Sequence, residues 1–117
     1  MSEWKVILSP DFKSEVRGIH SYIANTLLVP ETALKQIRRI IDAVKSLNEM
    51  PLRFSLYEKE PWHSRGLRKL PVDNFVVFYW PNEKTNEVVV FHVFYGGQNI
   101  ENILNTEAKK QDDIGNE

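Results

Sequence analysis

Apolar and polar positions alternate along this chain in two different periods, and the change of period divides it in half. Val6, Ile7 and Leu8 form a short β-branched and aliphatic run behind Trp4-Lys5, stopped by Ser9-Pro10, which predicts an opening strand over residues 4–8. Ser9 is a good N-cap, Pro10 suits the first helical position, and Asp11 sits beside the positive helix end. Phe12, Val16, Ile19, Ile23 and Leu27 then follow at spacings of three and four, one face of an amphipathic helix. Pro30-Glu31 restarts a helix whose stripe is Ala33, Ile37, Ile40 or Ile41, Val44 and Leu47, and Pro51 ends it. So short a connection predicts an antiparallel helical hairpin.

Residues 51–64 hold Pro51 and Pro61 and no period, so they read as a surface loop with at most one extended stretch. Three β-rich runs follow: Leu67 to Val72, Phe75 to Trp80 and Val88 to Tyr95. Asp73-Asn74 and the polar segment 81–86 separate them with turn chemistry, which predicts an antiparallel meander. The second run is apolar throughout and suits a central strand covered on both faces. Ile100, Ile103 and Leu104 suggest one more helical turn. The order β-α-α-β-β-β with a short C-terminal helix predicts an α+β fold: an antiparallel twisted sheet with the two-helix hairpin on one face. Residues 1–106 read as one domain and 107–117 as a polar, flexible tail.

Composition bounds the chemistry. The 117 residues contain no cysteine, which excludes disulfide frameworks, zinc ribbons and thiol catalysis. No stretch approaches the roughly 20 apolar residues of a membrane span, and the N-terminus lacks a signal-peptide pattern, so the expected location is the cytoplasm, with no membrane partner. With 15 basic and 16 acidic side chains the net charge is −1, which excludes a free-standing, high-affinity nucleic-acid binder. Charge is unevenly spread, however. Residues 50–71 carry Arg53, Lys59, Arg65, Arg68 and Lys69 against Glu58 and Glu60 only, while residues 72–117 are strongly acidic. That local cationic segment permits phosphate contact, although solvation alone accounts for such a cluster.

Metal ligation finds no support in the spacing of His20, His63 and His92, and no Gly-rich phosphate loop opens a helix, so neither metal nor cofactor is expected. What remains is a set of cations, imidazoles and phenols: Lys59, His63, Arg65, Arg68 and Lys69, with Tyr79, His92, Tyr95 and Gln98 on strands and their ends. Such groups can supply the base, the acid and the positive charge that RNA cleavage by its own 2′-hydroxyl requires. Aromatics beside cations also suit stacking on single-stranded bases. Plain packing competes with these roles: Tyr79 and Tyr95 fit a core with their hydroxyls at the rim, His92 fits a hydrogen-bonded strand position, and His20 fits a solvated helix face. Arg68 is the exception, because an arginine in a strand committed to burial must find a partner or an open face.

The segment Gly66-Leu67-Arg68-Lys69-Leu70-Pro71-Val72-Asp73-Asn74-Phe75-Val76-Val77-Phe78-Tyr79 resembles the "G-x-R-x-L-x-V-x-N-Y-x-V-x-Y" core of the RelE/ParE toxins, the plasmid-stabilisation type of bacterial toxin–antitoxin modules. Tyr95-Gly96-Gly97-Gln98-Asn99-Ile100-Glu101 resembles their closing "Y/H-G-x-R-D-I/L-E". Tyr22-Ile23-Ala24, Pro30-Glu31-Thr32-Ala33 and the exit from Leu47 to Pro51 fit the two helices of the family, so the resemblance covers about residues 4–105. It implies a growth-arresting toxin with a cognate antitoxin as partner. RelE-like members cut mRNA in the ribosomal A site, whereas ParE-like members inhibit DNA gyrase. For the first activity the resemblance assigns phosphorane stabilisation to Arg68 and proton transfer to His63 or Lys59 and Tyr95. Arg65 and Lys69 then position phosphate, with His92 and Gln98 as further substrate contacts. Gln98 and Asn99 stand where the family usually has Arg and Asp, which removes a charge-assisted phosphate contact. The expectation is therefore RelE-like, metal-independent mRNA cleavage. The alternatives are ParE-like gyrase inhibition, which needs a protein-binding surface on the helical hairpin, and a degraded toxin that only binds its antitoxin.

Overall fold

A computed structural model describes residues 3–96 and Leu104. The predicted Ile100–Leu104 helical turn, apart from Leu104 itself, and the tail over 107–117 lie outside the described residues.

Strand β1 spans Lys5–Leu8 and helix α1 Pro10–Ser21. Ser9 caps α1 as its sequence predicts: its Oγ accepts the Phe12 N–H at 3.0 Å and donates to the Phe91 carbonyl at 2.7 Å. One hydroxyl thus starts the helix and fastens it to the sheet. The chain then departs from the predicted regular helix, since Tyr22–Thr26 forms a π-helical turn. Leu27, the last residue of the predicted stripe, falls beyond that turn and is half exposed. Leu28 takes a left-handed φ of 58° with its side chain 77% exposed, and Pro30 opens α2, Pro30–Lys45. Ala33, Ile40, Val44 and Leu47 of the predicted stripe are buried, and Ile37 packs beside them.

The expected loop over 51–64 is more structured than its composition suggests. It holds a 3₁₀ turn, Pro51–Arg53, an isolated bridge from Leu56 to Arg68, and a single-turn helix α3, Trp62–Arg65. Gly66 ends α3 at φ 86°, where its N–H reaches the His63 carbonyl at 3.1 Å. Then come β2 (Arg68–Val72), β3 (Phe75–Asn82) and β4 (Glu87–Tyr95), joined as the predicted antiparallel meander. Asp73 supplies the positive φ of 56° that the two-residue turn between β2 and β3 needs.

The sheet order is β1-β4-β3-β2, and β1 lies parallel to β4, with Lys5 opposite Glu87 and Leu8 opposite Val90. The α+β class and element order therefore hold, while the sheet is mixed rather than antiparallel throughout. The reason is the hairpin: helices packed on one face return the chain to the far edge, as a crossover does. Past Leu8 the edge of β4 is closed by the Ser9 backbone and the Glu15 side chain instead of a strand. Glu15 Oε1 accepts the Val93 N–H at 2.9 Å, and the Ser9 N–H donates to the Val90 carbonyl at 3.0 Å.

A β-bulge lies where Phe78 faces His92 but Tyr79 faces Val90, leaving Phe91 as the extra residue. It resets the alternation of β4. Val88, Val90 and Val93 join Phe12, Ile40, Leu70 and Tyr79 in the core between sheet and hairpin. Phe91 and Phe94 pack on the opposite face with Tyr57, Trp62, Leu67, Phe78 and Leu104. Both faces of β3 are covered, as its apolar sequence predicts.

Candidate functional site

Alternation along β2 decides where the candidate residues point. Arg68 shares the helix-side face with Leu70 and Val72, two and four positions on. It stands at the sheet margin under the Pro51–Arg53 turn, donating to the Leu52 carbonyl at 3.1 Å and the Phe54 carbonyl at 2.5 Å. Its cross-strand neighbour Tyr79 is fully buried and donates its hydroxyl to the Pro51 carbonyl at 2.6 Å. Burial pushes the Tyr79 hydroxyl up to about 12, against the opposing pull of Arg68 and Arg53. Arg53 ties the same turn from outside, donating to the carbonyls of Glu49 and Met50 and to Ser46 Oγ. Arg68 thus fastens that turn through Nη1, while its Nε is buried without a hydrogen-bond partner among the described residues and its side chain shares a surface concavity with Gly66 and Trp80.

Lys69 and Leu67 alternate to that opposite face. There Lys69 Nζ pairs with Glu58 at 2.8 Å, and this hydrogen bond holds the Glu58 carboxyl below its usual range. Glu60 is lowered too, chiefly by the Ser64 hydroxyl and then by the Ser64 N–H at the start of α3. His63 is exposed, its Nδ1 3.0 Å from the Tyr57 carbonyl, and its N–H reaches the Lys59 carbonyl at 2.9 Å. Lys59 is exposed beside it, and Arg65 lies over the Trp62 ring at 5.4 Å.

Under α3 opens a cavity of about 440 Å³ lined by Trp62, Arg65, Leu67, Trp80, Phe91, His92 and Leu104. His92 is 5% exposed, stacks on Phe94 with ring centroids 5.0 Å apart, and sets Nδ1 2.8 Å from Glu15 Oε2. Its packing role is therefore real, and its ring edge still reaches the cavity wall. Tyr95 is 53% exposed and meets Phe75 edge-on at 5.9 Å. Because Val72 faces Phe75 and Phe75 faces Tyr95, Tyr95 lies four positions from the Arg68–Tyr79 rung. At the usual strand rise and spacing that is about 13 Å along the strands and about 10 Å across them. Gln98 lies outside the described residues.

The structure therefore brings Lys59, His63, Arg65 and His92 to one side of the sheet, with Lys69 nearby but paired. Arg68 is held on the other side and Tyr95 at a distant corner. Sequence reading passed over Glu15, Trp62 and Trp80. A tryptophan between Pro61 and His63, in a segment otherwise polar, was the available signal for a covered site.

A second concavity, about 890 Å³, runs from the bend of the helical hairpin to the Phe75–Tyr95 corner, past Ile19, Tyr22 and Leu27. Exposed Tyr22, Leu27, Leu28 and Val29 make that bend apolar. Among the described residues, no helix is long and apolar enough to cross a membrane.

A four-stranded mixed sheet with a two-helix hairpin on one face is the fold of the RelE/ParE toxins, and three solved structures share it. One is from the chromosomal ParDE TA system of P. aeruginosa, with TM-score 0.66 and 18% identity over 81% of this chain and 98% of that one. Another is from the toxin–antitoxin complex RelBE2 of Mycobacterium tuberculosis, with TM-score 0.57 and 14% identity over 81% and 93%. The third is from the archaeal RelE–RelB complex of Pyrococcus horikoshii OT3, with TM-score 0.56 and 14% identity over 84% and 99%. No curated protein matches the chain in sequence. Residues 6–100 match the ParE toxin of the type II toxin–antitoxin system parDE, and the chain belongs to that family.

Proposed function

We propose that this toxin arrests growth by binding DNA gyrase in the ParE manner, without cutting RNA, and that a cognate antitoxin holds it in check. The observation that carries this reading is the clamp on Arg68. Cleavage through the 2′-hydroxyl needs a cation on the pentavalent phosphate with a base and an acid within hydrogen-bond reach of the reacting oxygens. Arg68 commits its Nη1 to the Leu52 and Phe54 carbonyls, which holds it at the Pro51–Arg53 turn, and Tyr95 is four rungs away. Lys59 and His63 are left without the partners that the mRNA-cleaving alternative assigns them. A stoichiometric inhibitor needs an exposed binding surface instead. The apolar bend of the hairpin, with Tyr22, Leu27, Leu28 and Val29, is suited to that. The match to the ParE toxin family supports this reading, while the fold itself is common to ParE and RelE relatives. Complexes of the RelBE2 and RelE–RelB kind among the structural relatives support an antitoxin partner.

Adding the purified chain to a gyrase supercoiling reaction and, separately, to a translating extract tests the reading. Loss of supercoiling with gyrase-stabilised DNA breaks and intact transcripts is expected. Codon-specific cuts with normal supercoiling would overturn it in favour of ribosome-dependent cleavage. A chain that does neither, and leaves growth untouched when expressed alone, would be the degraded toxin.

A further inference from the structure

The aromatic residues around α3 and Arg65 are left unused by gyrase inhibition, yet they line the cavity under that helix. We propose that this cavity is a binding site for a free nucleoside monophosphate. Its volume of about 440 Å³ falls within the ~300–1,000 Å³ range of small-molecule sites. Trp62, Trp80 and Phe91 give it three flat π-surfaces, the requirement for holding a planar heteroaromatic ring. Leu67 closes the wall with hydrocarbon.

One cation, Arg65, belongs to the wall, and Lys59 and His63 stand exposed on the segment that leads into and forms α3. A ligand that satisfies both halves has a flat aromatic body and an anionic group on one side, which is the chemistry of a nucleobase carrying a phosphate. Trp80, 38% exposed, sits at the mouth, where a ring can stack on it without disturbing the core. The Trp62 indole N–H is buried in the same wall and has no acceptor among the described residues. No bond is made or broken in this assignment.

Trp62 and Trp80 are built-in reporters. The full chain is titrated with adenosine 5′-monophosphate, adenosine, inorganic phosphate and a single-stranded oligonucleotide while tryptophan emission and binding heat are followed. The monophosphate is expected to quench emission and to bind about tenfold or more tighter than adenosine or phosphate alone, because base stacking and a charge-assisted contact add. Trp80→Ala and Arg65→Gln, both at accessible side chains, should each weaken it about tenfold. A monophosphate that binds no better than phosphate, or whose affinity neither variant changes, overturns the assignment. Binding of the oligonucleotide alone overturns it as well and gives the face to a strand. Supercoiling is not part of the readout, so the site and the gyrase reading stand or fall separately.

Discussion

Arg68 and Tyr79 face each other across β2 and β3, and both donate to the same turn, Tyr79 to Pro51 and Arg68 to Leu52 and Phe54. Three successive structural consequences meet there: the exit of α2, the margin of the sheet and the start of the segment that roofs the opposite face. Replacing Tyr79 by Phe keeps the ring and leaves the buried Pro51 carbonyl without its donor. A loss of about 1–3 kcal/mol in urea unfolding is expected. A change within experimental error would mean that the hydroxyl adds nothing to the fold.

The same pair sets an alkaline limit. The Tyr79 hydroxyl titrates near 12 in the folded chain against about 10 when unfolded, so folding favours its neutral form. Its contribution is complete below about pH 10 and is lost as pH rises through about 12. Stability measured from pH 8 to 11.5 should therefore fall less steeply in Tyr79→Phe than in the parent. Parallel curves would contradict the assignment.

Arg68→Gln separates clamp from catalyst. A clamp predicts a loss of roughly 1–3 kcal/mol in stability, with toxicity falling only as the folded fraction falls. If growth arrest vanished while the unfolding midpoint stayed put, Arg68 would be acting on a target.

Glu15 bonds both His92 Nδ1 and the Val93 N–H. Glu15→Ala removes the acceptor of an edge amide and is expected to cost about 1–3 kcal/mol. Glu15→Gln, which keeps an acceptor oxygen, should cost less. Hydrogen exchange at Val93 provides the specific reading: faster in the Ala variant and close to the parent in the Gln variant.

Gly18 lies on the exposed side of α1, and a Cβ built there meets no atom within 4 Å. Gly18→Ala should raise stability by up to about 1 kcal/mol through helix propensity alone, visible as a higher thermal midpoint. A lower midpoint would reveal a contact made at that position.

Much of the architecture was written in the apolar spacing. The stripes of α1 and α2, the Ser9 cap and the three meander strands all appear where Phe12, Ala33 and Phe75 mark them. Short elements were harder. Helix α3 is one turn long and carries no period, and the π-turn at Tyr22–Thr26 interrupts a stripe whose apolar residues continue through it. The parallel partner of β1 was hidden because local spacing carries no information about pairing across the whole chain. At the site, the candidates were legible as residue types but not as a constellation. Alternation from Leu70 and Val72 already puts Arg68 on the helix side, whereas the position of His92 depends on a bulge that no composition signals.

The pairing of Lys5 with Glu87 spans nearly the whole run of described residues. Chain entropy must be surrendered over that separation before the contact repays it, so β1 gains its strand partner only when β4 is in place. A nascent chain that stops short of Glu87 can form its hairpin of helices but has no strand for β1 to lie against. Closure of that edge of the sheet therefore waits on β4, and a chain cut before Glu87 lacks the pairing that completes it.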